Sequence, residues 1–464
     1  MNVLLIVYDN DSFIHWPSQG LMYIASALRN AGHKITIYNQ DQYHYPEEHL
    51  TEYLNRNHFD VVGVSVIAGY YQYRKLLKIS EAINKVEPPN RPIYILGGHG
   101  PSPEPEYFLK KTGADFAVIG EGEITVVELL KALQGDGGLE DVNGIAYNIF
   151  HGVAQTPPRP LIKDINTIAL PAWDLFPMDY YALIGSENKK PTTRCFPVLS
   201  GRGCPFKCNF CYRMDKGLRI RSNESIIEEI QILKKDYLIG YIAFSDELLM
   251  TSKDRTISLC EDIIKAKLNV QWSCNGRLNY ATPEVLQAMK RAGCVFINYG
   301  IESMSDETLK VMNKNLTTEQ VIKGVEATLK EQISPGLNII FGNIGETKET
   351  LQKGVDFLLK YDDHAQLRTI RPVTPYPGSP LYYYAIEHGL LKGCEDFYEN
   401  KHVNSDLLAV NFTDMTDGEV HRALFEANKT LLENYYKCQL ERSIKTAEKL
   451  YLEKDATFRG FRQN

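Results

Sequence analysis

A chain of 464 residues is too long for one ordinary domain, and 44% hydrophobic with 23% charged residues is the composition of a globular protein, not a disordered or fibrous one. A formal charge of -7 gives no broad electrostatic footprint for nucleic acid, so a small-molecule substrate is expected. No run reaches the roughly 18 apolar residues of a membrane span, and the opening "MNVLLIVYDND" lacks the basic segment of a secretory signal, so the expected compartment is the cytoplasm.

From residue 1 to 135, short apolar runs alternate with amphipathic stretches. The runs are 3–8 (VLLIVY), 34–39 (KITIYN), 61–67 (VVGVSVI), 92–98 (PIYILGG) and 115–123 (DFAVIGEGE). Between the first two, Leu21, Ile24, Ala25 and Leu28 share one helical face, and Gly32 stands just past the end. This alternation predicts a doubly wound, Rossmann-like α/β domain with its ligand at the carboxyl ends of parallel strands. Residues 136–195, rich in Gly, Pro and Asp, read as a linker that packs by its aromatics. From 196 to 385 six strand candidates (196–200, 240–246, 269–275, 295–302, 336–343 and 366–373) alternate with helical patterns. Such a series predicts a partial (β/α)6 barrel of the TIM type, again with its chemistry at the strands' carboxyl ends. Residues 386–464 read as a mainly helical carboxyl-terminal domain without a catalytic motif.

Just after the first strand of the second series stands VLSGRGCPFKCNFCYR (198–213), which puts Cys204, Cys208 and Cys211 in a C-x3-C-x2-C array. Thiols this close can converge on one metal centre from a single loop. Structural zinc would want a fourth protein ligand, usually from a second knuckle. The other six of the nine cysteines stand alone, and Cys274 and Cys294 read as small buried hydrophobes. With an odd count and no signal peptide, a disulfide framework is not expected either. A [4Fe-4S] cluster resolves the shortfall, because three thiolates hold three irons and leave the fourth open to a small molecule.

This array, with Phe210 and Tyr212 flanking Cys211, closely resembles the signature of the radical S-adenosylmethionine enzymes. The resemblance implies that S-adenosylmethionine binds the open iron through its amino and carboxylate groups, while later strand ends carry the rest of it. Ser245-Asp246-Glu247 stands where many relatives have the Gly-Gly-Glu that meets the methionyl amine, which implies Asp246 and Glu247 as its candidates. Arg277 ends the third strand and suits the methionyl carboxylate; Glu302 ends the fourth and suits the ribose hydroxyls. "GLNIIFGNIGET", with Gly342 and Gly345, is similar to the family's G-x-I-x-G-x-P-G-E-T and implies backbone along the adenine. "PYPGSPLY" (375–382) matches a pattern of the cobalamin-linked subgroup. Any one of these alone would read as a structural charge or a turn.

The first domain, in turn, resembles the cobalamin (B12)-binding domain attached to one large group of these enzymes. The resemblance rests on PSQGLMYIASAL (17–28), on Ser65 in VGVSVI, on Gly97 and Gly98 in GGHGPS, and on Gly120, Glu121 and Gly122 in GEGE. Glycines at strand ends let a backbone approach a flat ligand, and Ser65 suits the nucleotide tail. The D-x-H-x-x-G motif that gives a histidine to cobalt is absent, and His15, His33 and His99 stand in other contexts. Cobalamin without a protein histidine ligand is thereby implied.

The implied cofactors are a [4Fe-4S] cluster, S-adenosylmethionine and cobalamin, with an external electron donor such as flavodoxin or ferredoxin. The implied reaction is C-methylation of an unactivated carbon by a 5'-deoxyadenosyl radical and methylcobalamin. Cyclisation, oxidation or rearrangement without net methyl transfer is the alternative. Methylthiotransferases carry additional amino-terminal cluster cysteines, whereas residues 1–194 contain none. A non-enzymatic iron-sulfur scaffold would explain the cysteines but not Asp246, Arg277 and Glu302 at successive strand ends. Arg371, Tyr376 and Tyr382 to Tyr384 are candidates for the substrate pocket, packing being the plainer role of the tyrosine run.

Overall fold

Val, Leu and Ile fill both faces of the central strands of the first sheet, as a parallel sheet covered on both sides requires. The computed structural model describes residues 1–11, 16–190, 192–214 and 217–457. The first sheet has seven strands: β1 (Asn2–Val7), β2 (Lys34–Asn39), β3 (Val61–Ser65), β4 (Ile93–Gly97), β5 (Phe116–Val118), β6 (Ile145–Ile149) and β7 (Gly152–Gln155), in the order β2-β1-β3-β4-β5-β6-β7. Side chains alternate along β1: Val3, Leu5 and Val7 pack with Leu21, Met22 and Leu129 on one face, and Leu4 and Ile6 with Leu50, Leu54 and Leu76 on the other. β1 to β5 are parallel, so their carboxyl ends open on one edge.

The segment expected as a linker divides in two. Residues 145–155 are an antiparallel hairpin, β6 and β7, that pairs with β5 and extends the first domain beyond residue 135. Covering β5 in this way removes an exposed parallel edge. The rest packs by aromatics, with Trp173, Phe176 and Tyr181 buried in a core that runs on into the second sheet.

That second sheet comprises β8 (Arg194–Val198), β11 (Ile239–Phe244), β12 (Gln271–Gly276), β13 (Cys294–Glu302), β14 (Ser334–Phe341) and β15 (Arg371–Pro372), all parallel, in the order β15-β14-β13-β12-β11-β8. A two-stranded ribbon, β9 (Gly201–Arg202) with β10 (Arg219–Ile220), brackets the cysteines. The six strands form an open, partial barrel. β15 is only two residues long, shorter than the expected 366–373, and beside it a side chain stands where a further strand would pair: Asn428 accepts from Ile370 N at 2.8 Å and donates to Ile370 O at 2.9 Å.

The chain closes with a helix at Pro380–Glu387, a π-helical turn at Phe397–Lys401 and a helix of 35 residues at Asp417–Tyr451, begun by a capping box between Thr416 and Glu419. Among the described residues no helix is long and apolar enough to cross a membrane.

Candidate functional site

The cysteine loop leaves β8 through a turn that Asp246 holds. This carboxylate accepts from Ser200 N (2.6 Å), Gly201 N (2.7 Å) and Ser200 Oγ (2.7 Å), and it is 1% exposed. Burial pushes its pKa up to about 6 against those hydrogen bonds. Asp246, expected from its motif to meet a ligand, is here engaged in holding the loop. Its neighbour Glu247 is exposed, accepting from Gly203 N at 3.1 Å and facing the space beside Cys204.

The far side of the loop is tied to three other segments: the end of a helix at Asp306–Val311, the turn after β14 and the helix Pro380–Glu387. Asn209 N donates to Met312 O at 2.9 Å, and Asn313 Nδ2 donates to Lys207 O at 2.8 Å. Asn209 and Asn343 exchange two amide hydrogen bonds of 3.1 and 3.2 Å, and Leu381 N donates to Asn209 O at 2.8 Å. Gly342 and Gly345 adopt φ of +97° and +77°, and the turn between them is fixed by Glu346, which accepts from Gly342 N (2.8 Å) and Asn343 N (2.9 Å). Burial pushes the Glu346 carboxyl up to about 7.

Cys208 is 7% exposed, Cys204 and Cys211 are half-buried, and all three are free thiols. Cys211 donates to Cys208, which with the charges of Lys314 and Arg277 makes Cys208 the more acidic of the pair despite its burial. Among the described residues no three His, Cys, Asp or Glu side chains converge as ligands of a single metal ion. The donor set fits an iron-sulfur cube instead, which takes one thiolate per iron. A further sign of fit is Arg277 Nε, buried beside the thiols without a partner.

Arg277 itself is largely spent. Its Nη2 donates to the carbonyls of Lys314 and Asn315, and its guanidinium lies 3.6 Å from the Phe206 ring centroid. The expected freedom to meet a carboxylate is thus reduced to its remaining N–H groups. Glu302 is likewise engaged, 2.7 Å from Lys314 Nζ rather than open to ribose hydroxyls. Its φ of +70° at a register shift between β13 and β14 turns the chain off the strand end. Lys314, 7% exposed and 5.9 Å from the Phe210 ring centroid, escaped the sequence reading, as did Glu346. Nothing in "MNKNL" distinguishes that lysine until the fold sets it against Cys208 and Glu302.

The strand ends of the first sheet face the barrel across a cavity of about 470 Å³. Ser65, Gly97, Gly98, His99, Gly120, Glu121 and Gly122 line one side, and Leu199, Arg202, Met214, Ser245 and Glu247 the other. Gly98 has φ +96°, and a Cβ there would lie 2.6 Å from Val66 O and 2.8 Å from Ser65 Oγ. Gly120, at φ +78°, has nothing within 4 Å of the Cβ position, so the cradle is open where a flat ligand would enter. Glu121, expected among the cobalamin contacts, lines the cavity but is engaged: at 5% exposure it receives Arg202 and Arg219, each at 2.7 Å, and Ile162 N at 3.0 Å, binding the first domain to the β9–β10 ribbon. Burial acts to raise its pKa, but the two arginines hold it below the ordinary value.

Of the histidines, His99 lines the cavity, where enclosure lowers its pKa, and its ring meets Tyr212 edge-on at 6.2 Å. His33 sits against the amino terminus, 3.3 Å from its nitrogen. His15 lies outside the described residues. Gly378, in PYPGSPLY, is where Tyr212 packs: a Cβ there would be 2.5 Å from the tyrosine ring. The tyrosine run is structural in part, since Tyr382 donates to Glu104 at 3.0 Å and Tyr384 stacks on His388 at 3.8 Å, while Arg371 pairs with Asp406 at 3.0 Å.

The Radical SAM superfamily model matches residues 198–358, and the B12 binding domain model matches residues 10–130. The chain is 32% identical over 403 residues to an uncharacterized methyltransferase of Pyrococcus horikoshii, covering 84% of each. It is 28% identical to an anaerobic magnesium-protoporphyrin IX monomethyl ester cyclase of Rubrivivax gelatinosus, over 79% of this chain and 66% of that one. The fold is similar to that of the radical S-adenosylmethionine methyltransferase TsrM from Kitasatospora setae, solved with cobalamin and a [4Fe-4S] cluster, at a TM-score of 0.71 and 18% identity over 93% of this chain and 88% of that one.

Proposed function

The chain belongs to the family of cobalamin-binding radical S-adenosylmethionine enzymes, and from that premise we propose that it methylates a carbon of a small molecule. When bound together, the cluster, S-adenosylmethionine and cobalamin supply a 5'-deoxyadenosyl radical and a transferable methyl group, the part of the chemistry that belongs to cofactors. The protein binds, orients and shields them. Cys204, Cys208 and Cys211 would hold the cluster. Glu247, an exposed carboxylate beside Cys204, would accept the methionyl ammonium. Lys314, a buried ammonium beside Cys208 already paired on one side with Glu302, would meet the methionyl carboxylate through its remaining N–H groups, with Arg277 Nε as a second donor. The backbone of Gly342 to Gly345 would lie along the adenine. Ser65, Gly97, Gly98 and Gly120 would receive the cobalamin.

One observation carries the reading. Glu247 hydrogen-bonds to the cysteine loop and also lines the cavity that the first domain's glycines face, which supports a reading in which both cofactors would meet in one space. Cyclisation without methyl transfer is the competing reading, favoured by the cyclase among the relatives. The working compartment would be the cytoplasm, where thiols stay reduced, with a flavodoxin or ferredoxin as electron donor. The test uses protein purified without oxygen, reconstituted with iron and sulfide and given cobalamin, S-adenosylmethionine and reductant. Retained cobalamin with both 5'-deoxyadenosine and S-adenosylhomocysteine supports methyl transfer. Deoxyadenosine without S-adenosylhomocysteine, in the presence of a turned-over substrate, favours the cyclase reading.

A further inference from the structure

β8 is an edge strand of the barrel sheet, paired on one side with β11. Carbonyls alternate in direction along a strand. Val198 O turns toward β11 and accepts from Ser245 N at 3.0 Å, so Pro197 O turns to the open edge. Pro197 is buried, and a buried carbonyl that no strand pairs needs a donor from elsewhere. Gln19, the first residue of the helix Gln19–Asn30 in the other domain, supplies it, with Nε2 donating to Pro197 O at 3.1 Å. The same amide turns its oxygen to β11, where Gln19 Oε1 accepts from Ser245 Oγ at 2.7 Å. One side chain thus spans the ends of two adjacent barrel strands from across the domain boundary.

The chain that leaves those two strand ends gives the contact its consequence. β8 leads into the cysteine loop and β11 into Glu247. Ser245 and Glu247 are exposed and line the cavity, while Asp246 between them is buried. The alternation of an extended chain puts Ser245 and Glu247 on the same side. Gln19 lines the same cavity, on the wall that carries Ser65 and the glycines. The bridges made by Glu121 and Glu104 reach the β9–β10 ribbon and the helix Pro380–Glu387 instead.

We infer that Gln19 is a positioning residue, which sets the separation of the two cavity walls by holding the ends of β8 and β11 against the first domain. The inference rests on the proposed function, in which the cluster and S-adenosylmethionine occupy the barrel wall and cobalamin the other. Transfer between two bound groups is sensitive to displacements of about 1 Å. Groups are held that closely only when their supports are themselves locked by hydrogen bonds, and Gln19 has both the oxygen and the nitrogen of its amide engaged.

The test is the magnetic coupling between a reduced [4Fe-4S] cluster and cob(II)alamin, both paramagnetic, in full-length protein reconstituted with iron, sulfide and cobalamin. The coupling weakens steeply with separation, so electron paramagnetic resonance reads the gap between the walls without turnover. Gln19→Met keeps the length of the side chain and loses both hydrogen bonds. It should leave the iron and cobalamin spin counts unchanged, which shows a folded chain, and should weaken and broaden the coupling. Ser245→Ala should do the same to a smaller extent, whereas Ser245→Thr, which keeps the hydroxyl, should retain the coupling of the unmodified protein. Gln19→Met combined with Ser245→Ala should match Gln19→Met alone, because the two residues act as one unit. A coupling that Gln19→Met leaves unchanged overturns the inference. So does a change on Gln19→Met that Ser245→Ala does not share, which would make Gln19 a direct contact of a cofactor. An unmodified protein that takes up a cluster but no cobalamin overturns the proposed function, and the inference with it.

Discussion

The two walls of the central cavity are built from opposite materials. On the barrel side, around the cysteine loop behind the cavity lining, nearly every polar group is tied: Asp246 to the entry of the cysteine loop, Glu346 to the Gly342 turn, Glu302 to Lys314, and Asn209 to Asn343. On the side of the first domain the lining is mostly glycine, Ser65 and apolar strand ends, with His99 and the arginine-paired Glu121 and Glu123 among them. On the proposed function the contrast follows from what each wall would receive. Thiolates and a zwitterion need charged side chains held at fixed positions, and buried charges are stable only when paired. A broad flat cofactor needs backbone and empty space. Damage to the two walls should therefore separate cleanly.

The largest separation is expected from Cys208→Ala. Iron retained after reconstitution should fall to background and 5'-deoxyadenosine should vanish, while cobalamin retention is unchanged. Loss of cobalamin in the same variant would show that the two walls do not act independently. The converse variant is Gly98→Val. Its Cβ would collide with Val66 O and Ser65 Oγ at a φ that costs an L-residue about 1–2 kcal/mol. Cobalamin retention should drop at least about tenfold, with iron content and reductive cleavage of S-adenosylmethionine preserved.

A finer cut falls within the barrel wall. Lys314→Met removes the partner of a buried carboxylate, and breaking such a pair costs about 3–5 kcal/mol when both ions are fully enclosed. The variant should still take up iron through its three cysteines but bind S-adenosylmethionine about tenfold more weakly. The double variant Lys314→Met with Glu302→Gln should recover stability and not affinity. Recovery of both would reduce Lys314 to a packing role.

What the sequence made legible divides along the same line. The cysteine array, the Gly342–Gly345 turn and the strand-end glycines are encoded in short contiguous stretches, and the residue types carry their own chemistry, so the fold and the cofactors could be read. Partnership could not. Asp246 lies in a motif position but is consumed by Ser200 and Gly201, and Glu121 lies in a glycine-rich turn but is consumed by Arg202 and Arg219. In each case the partner lies 45 or more residues away, and it is brought near only by the fold: by the pairing of β8 with β11 for Asp246, and by the packing of one domain on the other for Glu121. The β6–β7 hairpin was missed for a different reason, since its strands are short and half-exposed and lack a strong alternating pattern.

The smallest effect concerns what holds the walls together. Besides Glu121, the first domain is bound to the carboxyl-terminal segment by Glu399, which receives Tyr73 Oη at 2.6 Å, Lys111 Nζ at 2.6 Å and Arg74 Nη1 at 2.9 Å. Burial alone would raise its pKa, but these three partners lower it from 4.5 to about 2. A carboxylate whose pKa is lowered by folding contributes stability that is full above its unfolded pKa and disappears as pH falls through the folded one. For Glu399 that window runs from 4.5 down to about 2. At neutral pH, Glu399→Gln should lower the Tm by about 2–4 °C. The gap from the unmodified protein should shrink as the pH falls through the same window, because protonation then removes the charge that the substitution had already removed. A gap that stays constant with pH would assign the loss to packing around Tyr73 instead of to the ion pairs.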